Sequence, residues 1–154
     1  MKLRPYTPSD ESELVDAWFE GWRSLGLAEP AVTRSELAAR APRELAGRWV
    51  VTIAESEGRV VGFLALAPAE DRLDQLFVHP DAQSRGVGGA LFDAAVRQMP
   101  NGFWLMTELG ATRARQFYER HGMVLERIER HGGRDRAVYV LRDPAKRPVR
   151  RREP

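Results

Sequence analysis

A chain of 154 residues with 43% hydrophobic and 30% charged residues is one globular domain by size, too apolar for a disordered polymer and large enough for one buried core. Its zero cysteines exclude disulfides, thiolate nucleophiles and cysteine-ligated metals, and suit a reducing, cytoplasmic setting. The net charge of +2 gives no case for a polyanion binder, because residues 142–154 alone carry +4 and leave residues 1–141 at −2.

The expected organisation is therefore a single domain over residues 1–142 followed by a solvated, basic Pro/Arg-rich tail at 143–154. No specific nucleic-acid partner is expected of the body. No apolar run approaches the ~20 residues of a membrane span, and residues 1–20 lack a signal-peptide core, so no membrane partner is expected either.

Along the chain, Lys2–Tyr6 reads as a short strand. Thr7, Pro8 and Asp10 form a helix start with an N-cap, a first-turn proline and an acidic residue closing a capping box. Leu14, Trp18, Trp22 and Leu25 then recur at helical spacing up to Gly26. A second capping box at Thr33–Glu36 opens another helix, which the sequence predicts to be interrupted at Pro42.

The period then changes from helical to alternating. Residues 48–55 and 59–67 read as a hairpin about Gly58, and residues 72–78 as a third strand after a proline turn. Gly86–Met99 is an amphipathic helix broken by Pro100-Asn101-Gly102, residues 103–107 a strand, and Ala111–His121 a helix stopped by Gly122. Residues 123–130 and 136–142 close the chain as a hairpin around His131-Gly132-Gly133. The order β-αα-βββ-α-β-α-ββ predicts an α+β fold, with a mixed sheet in which only strands 72–78 and 103–107 run parallel.

The most informative stretch is Gln83-Ser84-Arg85-Gly86-Val87-Gly88-Gly89-Ala90, a glycine-bearing loop between a strand and a helix. First-turn N–H groups lack acceptors and carry the positive end of the helix dipole, so such a loop attracts phosphate oxygens. A dinucleotide-binding loop would come after the first strand as Gly-x-Gly-x-x-Gly, and a Walker loop would contain Gly-Lys-Ser/Thr; neither fits.

Gln83, Gly86 and Gly88 match in register the Gln/Arg-x-x-Gly-x-Gly/Ala loop of the GNAT superfamily, the acetyl-CoA-dependent N-acetyltransferases. About 30 residues on, Ala114-Arg115-Gln116-Phe117-Tyr118-Glu119-Arg120-His121-Gly122-Met123 is similar to that family's Ala-x-x-Phe-Tyr-x-x-x-Gly-Phe segment. The resemblance covers nearly the whole domain and implies a GNAT-like fold and transfer of acetyl from acetyl-CoA to a primary amine of a small molecule or protein. It implies that the N–H groups of Arg85, Gly86, Val87, Gly88, Gly89 and Ala90 hold the CoA diphosphate, with the Arg85 guanidinium adding charge. The main chain of Leu76, Phe77 and Val78 would hold pantetheine as an added strand.

Tyr118 matches the family's tyrosine that serves the departing thiolate; the alternative reading is a core aromatic with a satisfied hydroxyl. Asp74, placed by alternation on the face of Leu76 and Val78, and Glu108, just past strand 103–107, are the carboxylates near the expected cleft that would take the amine's proton directly or through water. The same two acids also read as structural. Ala111 stands where the family often has Asn, so no cofactor contact is assigned to it.

His79, His121 and His131 lack metal spacing, and Ser84 has no triad context, so no metal is expected. Trp18, Trp22 and Trp104 read as core or as acceptor pocket. The resemblance places acceptor specificity in residues 20–40 and 127–136. There Arg127, Arg130, Arg134 and Arg136 would suit an anionic acceptor, and Glu29, Glu36, Glu126 and Glu129 a cationic one. A catalytically silent acyl-CoA-binding module is the alternative function, and either a monomer or a homodimer fits.

Overall fold

The structure, a computed structural model, describes residues 1–27 and 32–142; the basic tail lies outside the described residues. Seven strands, β1 (Lys2–Pro5), β2 (Val50–Ser56), β3 (Arg59–Ala67), β4 (Arg72–Val78), β5 (Phe103–Glu108), β6 (Val124–His131) and β7 (Arg134–Leu141), form one sheet. Four helices accompany them: α1 (Glu11–Arg23), α2 (Arg34–Leu45), α3 (Val87–Gln98) and α4 (Thr112–Arg120). The sheet order is β1-β2-β3-β4-β5-β7-β6, antiparallel throughout except for β4 beside β5. This is the mixed α+β architecture expected from the order of elements.

Local chemistry explains most boundaries. The Thr33 hydroxyl accepts the Glu36 N–H at 3.1 Å and starts α2. Glu57 and Gly58, at φ 52° and 74°, make the tight turn between β2 and β3, the twist that suits a two-residue hairpin. At the first helix a 3-10 turn over Pro8–Asp10 precedes α1, and the Thr7 N–H donates to the Asp10 carboxylate at 2.8 Å. Pro42 does not interrupt α2. It sits in the last turn, where the missing N–H removes one bond, and its carbonyl still accepts the Ala46 N–H at 3.1 Å.

The two sheet faces bury separate clusters. On one, α3 and α4 cover Leu64, Leu66, Leu73, Phe103, Leu105 and Tyr139. On the other, α1 and α2 cover Trp49, Ile53, Phe63 and Ala65. Trp18 belongs to this second core, 2% exposed and edge-on to Trp49 with ring centroids 5.3 Å apart. It is not an acceptor-pocket residue.

A buried ion pair closes the start of the chain. Arg4 grips Asp10 with two bonds of 2.8 Å and also reaches Glu55. The Arg4 hydrogen bonds, with those from Thr7, outweigh burial and lower the Asp10 pKa from 3.8 to about 2. A folded pKa below the unfolded one stabilises above pH 3.8, and the contribution is lost as pH falls toward 2. In denaturant titrations Asp10→Asn should be about 2 kcal/mol less stable than wild type at pH ~7, with the gap closing near pH ~2. A gap that is independent of pH would exclude the ion pair as its source.

Candidate active site

Strands β4 and β5 share one registered pair, Arg72 with Trp104. The Trp104 N–H also reaches the Asp71 carbonyl at 3.1 Å. Beyond that point the strands part, and a cleft of about 1460 Å³ opens between them, bounded by the N-terminus of α3 and by α4. On that side the main chain of Leu76 and Phe77 is paired to β3 only. Val78 differs from its two neighbours, because its carbonyl already accepts the Gln83 side-chain amide at 3.1 Å.

The loop into α3 closes one end of the cleft. Gly86 caps the helix at φ 80°, a left-handed conformation that favours glycine. Its carbonyl takes the Ala90 N–H at 3.1 Å. Ala90 is therefore removed from the set of open donors, and the N–H groups of Arg85, Gly86, Val87, Gly88 and Gly89 find no main-chain acceptor among the described residues. Gln83, Ser84, Gly86, Gly88 and Gly89 line the cleft. Arg85 does not; the guanidiniums at its rim belong to Arg113 and Arg120. The site can thus receive an anion on main-chain donors and a helix dipole, with an extended chain laid along β4.

Tyr118 reaches the cleft from α4, 8% exposed, amid the rings of Phe92, Phe117 and Tyr139. Burial pushes its phenol pKa upward, so it stays protonated and can donate. Its neighbour Phe117 packs on α3 so closely that a Cβ at Gly88 would stand 3.3 Å from the ring. His121 is the C-cap of α4. It is 3% exposed, lines the cleft and stacks on Phe117 at 4.2 Å. Its Nδ1 lies 2.7 Å from the Phe117 carbonyl, which only accepts, so that nitrogen carries the proton.

Asp74 lines the cleft as expected, but on a different face from the one that alternation assigns. In the β3–β4 ladder Ala65 faces Gln75 and Leu66 faces Leu73, so Asp74 is the extra residue of a β-bulge. Alternation fails there. Leu73, Leu76 and Val78 all pack toward the α3 cluster, whereas the Asp74 carboxylate accepts the indole N–H of Trp49, a residue of the opposite cluster, at 2.7 Å. Arg48 at 2.7 Å and Arg72 at 3.1 Å complete its shell. Burial would raise the Asp74 pKa, but hydrogen bonds from Arg48 and Trp49 and the charge of Arg72 overcome it and hold the carboxyl below its ordinary range. Glu108 does not line the cleft; it pairs with Arg134 at 3.1 Å and Arg136 at 3.7 Å on β7.

Sequence reasoning missed the network behind Asp74. Arg48 also binds Glu44 and Glu70, and the Arg72 guanidinium lies 4.5 Å from the centroid of the Trp104 ring. These partners are 22 to 32 residues apart where the pair crosses elements, so no local pattern marked them. Gln83 was legible from its motif, but not its bond to Ser24, the C-cap of α1. Trp22 and Trp104 are half-buried and neither lines the cleft. Among the described residues no group of His, Asp and Glu is arranged to hold a metal ion, and no helix is long and apolar enough to cross a membrane.

The model of the acetyltransferase (GNAT) domain matches residues 47–124, from the residue before Arg48 to the start of β6. No curated protein matches the chain in sequence. Solved structures do match in fold. A GCN5-related N-acetyltransferase from Rhodopseudomonas palustris is 22% identical with a TM-score of 0.75, over 92% of this chain and 94% of that one. The ribosomal-protein-S18-alanine N-acetyltransferase of Escherichia coli is 16% identical at a TM-score of 0.71, over 92% and 93%. The PaiA N-acetyltransferase of Thermoplasma acidophilum, solved in complex with coenzyme A, is 16% identical at 0.70, over 89% and 96%.

Asp74→Asn preserves volume and removes the charge that Arg48 and Arg72 share. Urea unfolding at neutral pH should show a loss of about 2–3 kcal/mol, the range for hydrogen bonds to charged groups that lose a partner. A variant as stable as wild type would mean that the network contributes nothing to holding the bulge.

Proposed function

Because the chain belongs to the GNAT acetyltransferase family, we propose that it is an enzyme that transfers the acetyl group of acetyl-CoA to a primary amine of a small molecule or a protein. The observation that carries this reading is the cleft between β4 and β5, with open amides of α3 at one end and Tyr118 beside it. The comparison with PaiA adds a relative in fold that was captured with coenzyme A. The S18-alanine enzyme adds one named for a protein acceptor.

In this reading the N–H groups of Arg85, Gly86, Val87, Gly88 and Gly89 hold the diphosphate. Leu76 and Phe77 hold pantetheine through main-chain bonds, while the Val78 carbonyl stays with Gln83. The neutral amine attacks the thioester carbonyl, the new C–N bond forms, and the C–S bond breaks toward sulfur. Tyr118 serves the departing sulfur. A thiol has a pKa near ~8.5 and a buried phenol one above ~10, so full proton transfer from Tyr118 to sulfur would be uphill. The phenol keeps its proton and stabilises the developing thiolate by a hydrogen bond.

Neither carboxylate is assigned as the base. Asp74 is held ionised with a lowered pKa by hydrogen bonds from Arg48 and Trp49 and by the charge of Arg72, which makes it a weak acceptor for the proton of an amine whose pKa is near ~10. Glu108 is engaged on β7. The proton leaves through water in the cleft.

The test is a panel of primary amines with acetyl-CoA, reading both released thiol and the mass of the acetylated product. Tyr118→Phe should lower kcat about 10²-fold, as expected for losing one donor to a charge that develops in the transition state, with the KM for acetyl-CoA nearly unchanged. Gly88→Val, which crowds Phe117 and the open amides, should raise that KM instead. Calorimetric binding of CoA without turnover of any amine would favour the silent acyl-CoA-binding module. No binding would end the whole reading.

A further inference from the structure

The cleft is bordered from two sides. Tyr118, Phe117 and the open amides of α3 stand on the side of the α3–α4 cluster. Gly21, Ser24 and Leu25 of α1 border the other side, together with Met106, which alternates with the buried Leu105 of that cluster. On the acetyl-transfer reading, on which this inference rests, the cofactor fills the first side and the acceptor enters from the second. Charges that border the second side therefore decide which amine is held.

The sequence offers four glutamates and four arginines for that role, and the structure separates them. Glu29 lies outside the described residues, and Glu36 is exposed in the first turn of α2, away from the cleft lining. Glu126 is engaged by Arg127 and Arg142, and Glu129 by Arg127 and His131. Arg130 bonds Asp135 and the Gly133 carbonyl, and Arg134 bonds Glu108. Arg136 differs from the rest. Its guanidinium makes no hydrogen bond among the described residues, and its Nε is enclosed without an acceptor. Its ion-pair oxygen, Oε1 of Glu108, is 3.7 Å away and already holds Arg134 at 3.1 Å.

Register puts this cation beside the second side. In the β5–β7 ladder Arg136 faces Glu108, and Val138 faces Met106. Alternation sets Arg136 and Val138 on one face, so Arg136 is a diagonal neighbour of Met106, ~7–8 Å off and within reach of a long side chain. Two guanidiniums share one carboxylate there, which leaves one positive charge in surplus. Glu129, opposite Arg136 on β6, is held by Arg127 and His131 instead. The Arg136 side chain is 37% exposed, and a planar guanidinium fits both oxygens of a carboxylate at once. One surplus charge matches a carboxylate better than a phosphate dianion. We propose that the acceptor is a primary amine that also carries a carboxylate, which Arg136 holds while the amine faces the thioester.

The probes are ω-amino acids of graded length and glycyl peptides, each paired with its own carboxamide and offered with acetyl-CoA. For the wild type kcat/KM should favour the acid over its carboxamide by about tenfold or more, the discrimination expected of charge-assisted hydrogen bonds. Arg136→Gln should bring that ratio near one by raising KM for the acids, with turnover of the carboxamides little changed. Arg136→Lys, which keeps the charge but not the fork, should retain part of the preference. Arg97→Gln, which removes an exposed cation at the end of α3, should retain all of it. Preference among the free amino acids, or only among the peptides, supports the proposal and tells a small-molecule acceptor from a chain terminus. Equal use of acid and carboxamide would overturn it and leave acetyl transfer standing. A preference that survives in a folded Arg136→Gln would do the same, as would phosphoethanolamine outrunning every carboxylate. Acetylation of no amine at all would overturn both readings.

Discussion

The separation of β4 from β5 after a single shared pair is the constraint on which the site depends. Two parallel strands would ordinarily continue their ladder, since each open N–H or C=O must find a partner elsewhere. Here β4 is held away from that course from several directions. The bulge at Asp74 bends it, and hydrogen bonds of 2.7 Å from Trp49 and Arg48, with the Arg72 charge 3.1 Å away, fix the bulged carboxylate. Further along, Phe77 lies so close to α1 that a Cβ at Gly21 would stand 2.9 Å from its ring. The stack of Arg72 on Trp104 keeps the beginnings of the two strands together, so the opening is a wedge with a fixed apex.

How much of this the sequence revealed follows the range of the interactions. Contacts within about four residues were legible: the Thr33 cap, the Glu57-Gly58 turn and the glycine that starts α3 all form as local chemistry requires. The bulge was not. A period-2 reading assumes an unbroken ladder, and one extra residue at Asp74 reverses the face assigned to it. Arg48 and Trp49 lie 26 and 25 residues from Asp74, and Glu108 finds Arg134 26 residues on. Charged residues at such separations look like solvated surface until the topology joins them.

The glycine loop shows a partial success of the same kind. Its motif located the helix start and the main-chain donors, and Gln83 was singled out with it. The spacing alone could not say which amides stay open, because that depends on the Gly86 carbonyl taking Ala90. Nor could it say that Gln83 would tie the loop to both Val78 and Ser24. With Arg85 outside the cleft lining and the helix dipole in place, the attraction for an anion arises chiefly from the backbone. That explains why the positions that matter are glycines and a glutamine and not basic residues.

An acid near the reacting centre invites the role of base, and Asp74 shows why position is insufficient. A base serves best when its pKa approaches that of the working solution. Every donor that fixes the Asp74 carboxylate stabilises its charged form and moves it further from that condition. Loosening the shell to make it basic would free the bulge and let β4 swing toward β5, closing the cleft that the acid would serve. The same residue cannot hold the wedge open and exchange protons readily at neutral pH. In this fold the structural demand is met by two hydrogen-bond donors and the charge of Arg72, and in the proposed reaction the proton of an attacking amine is left to solvent.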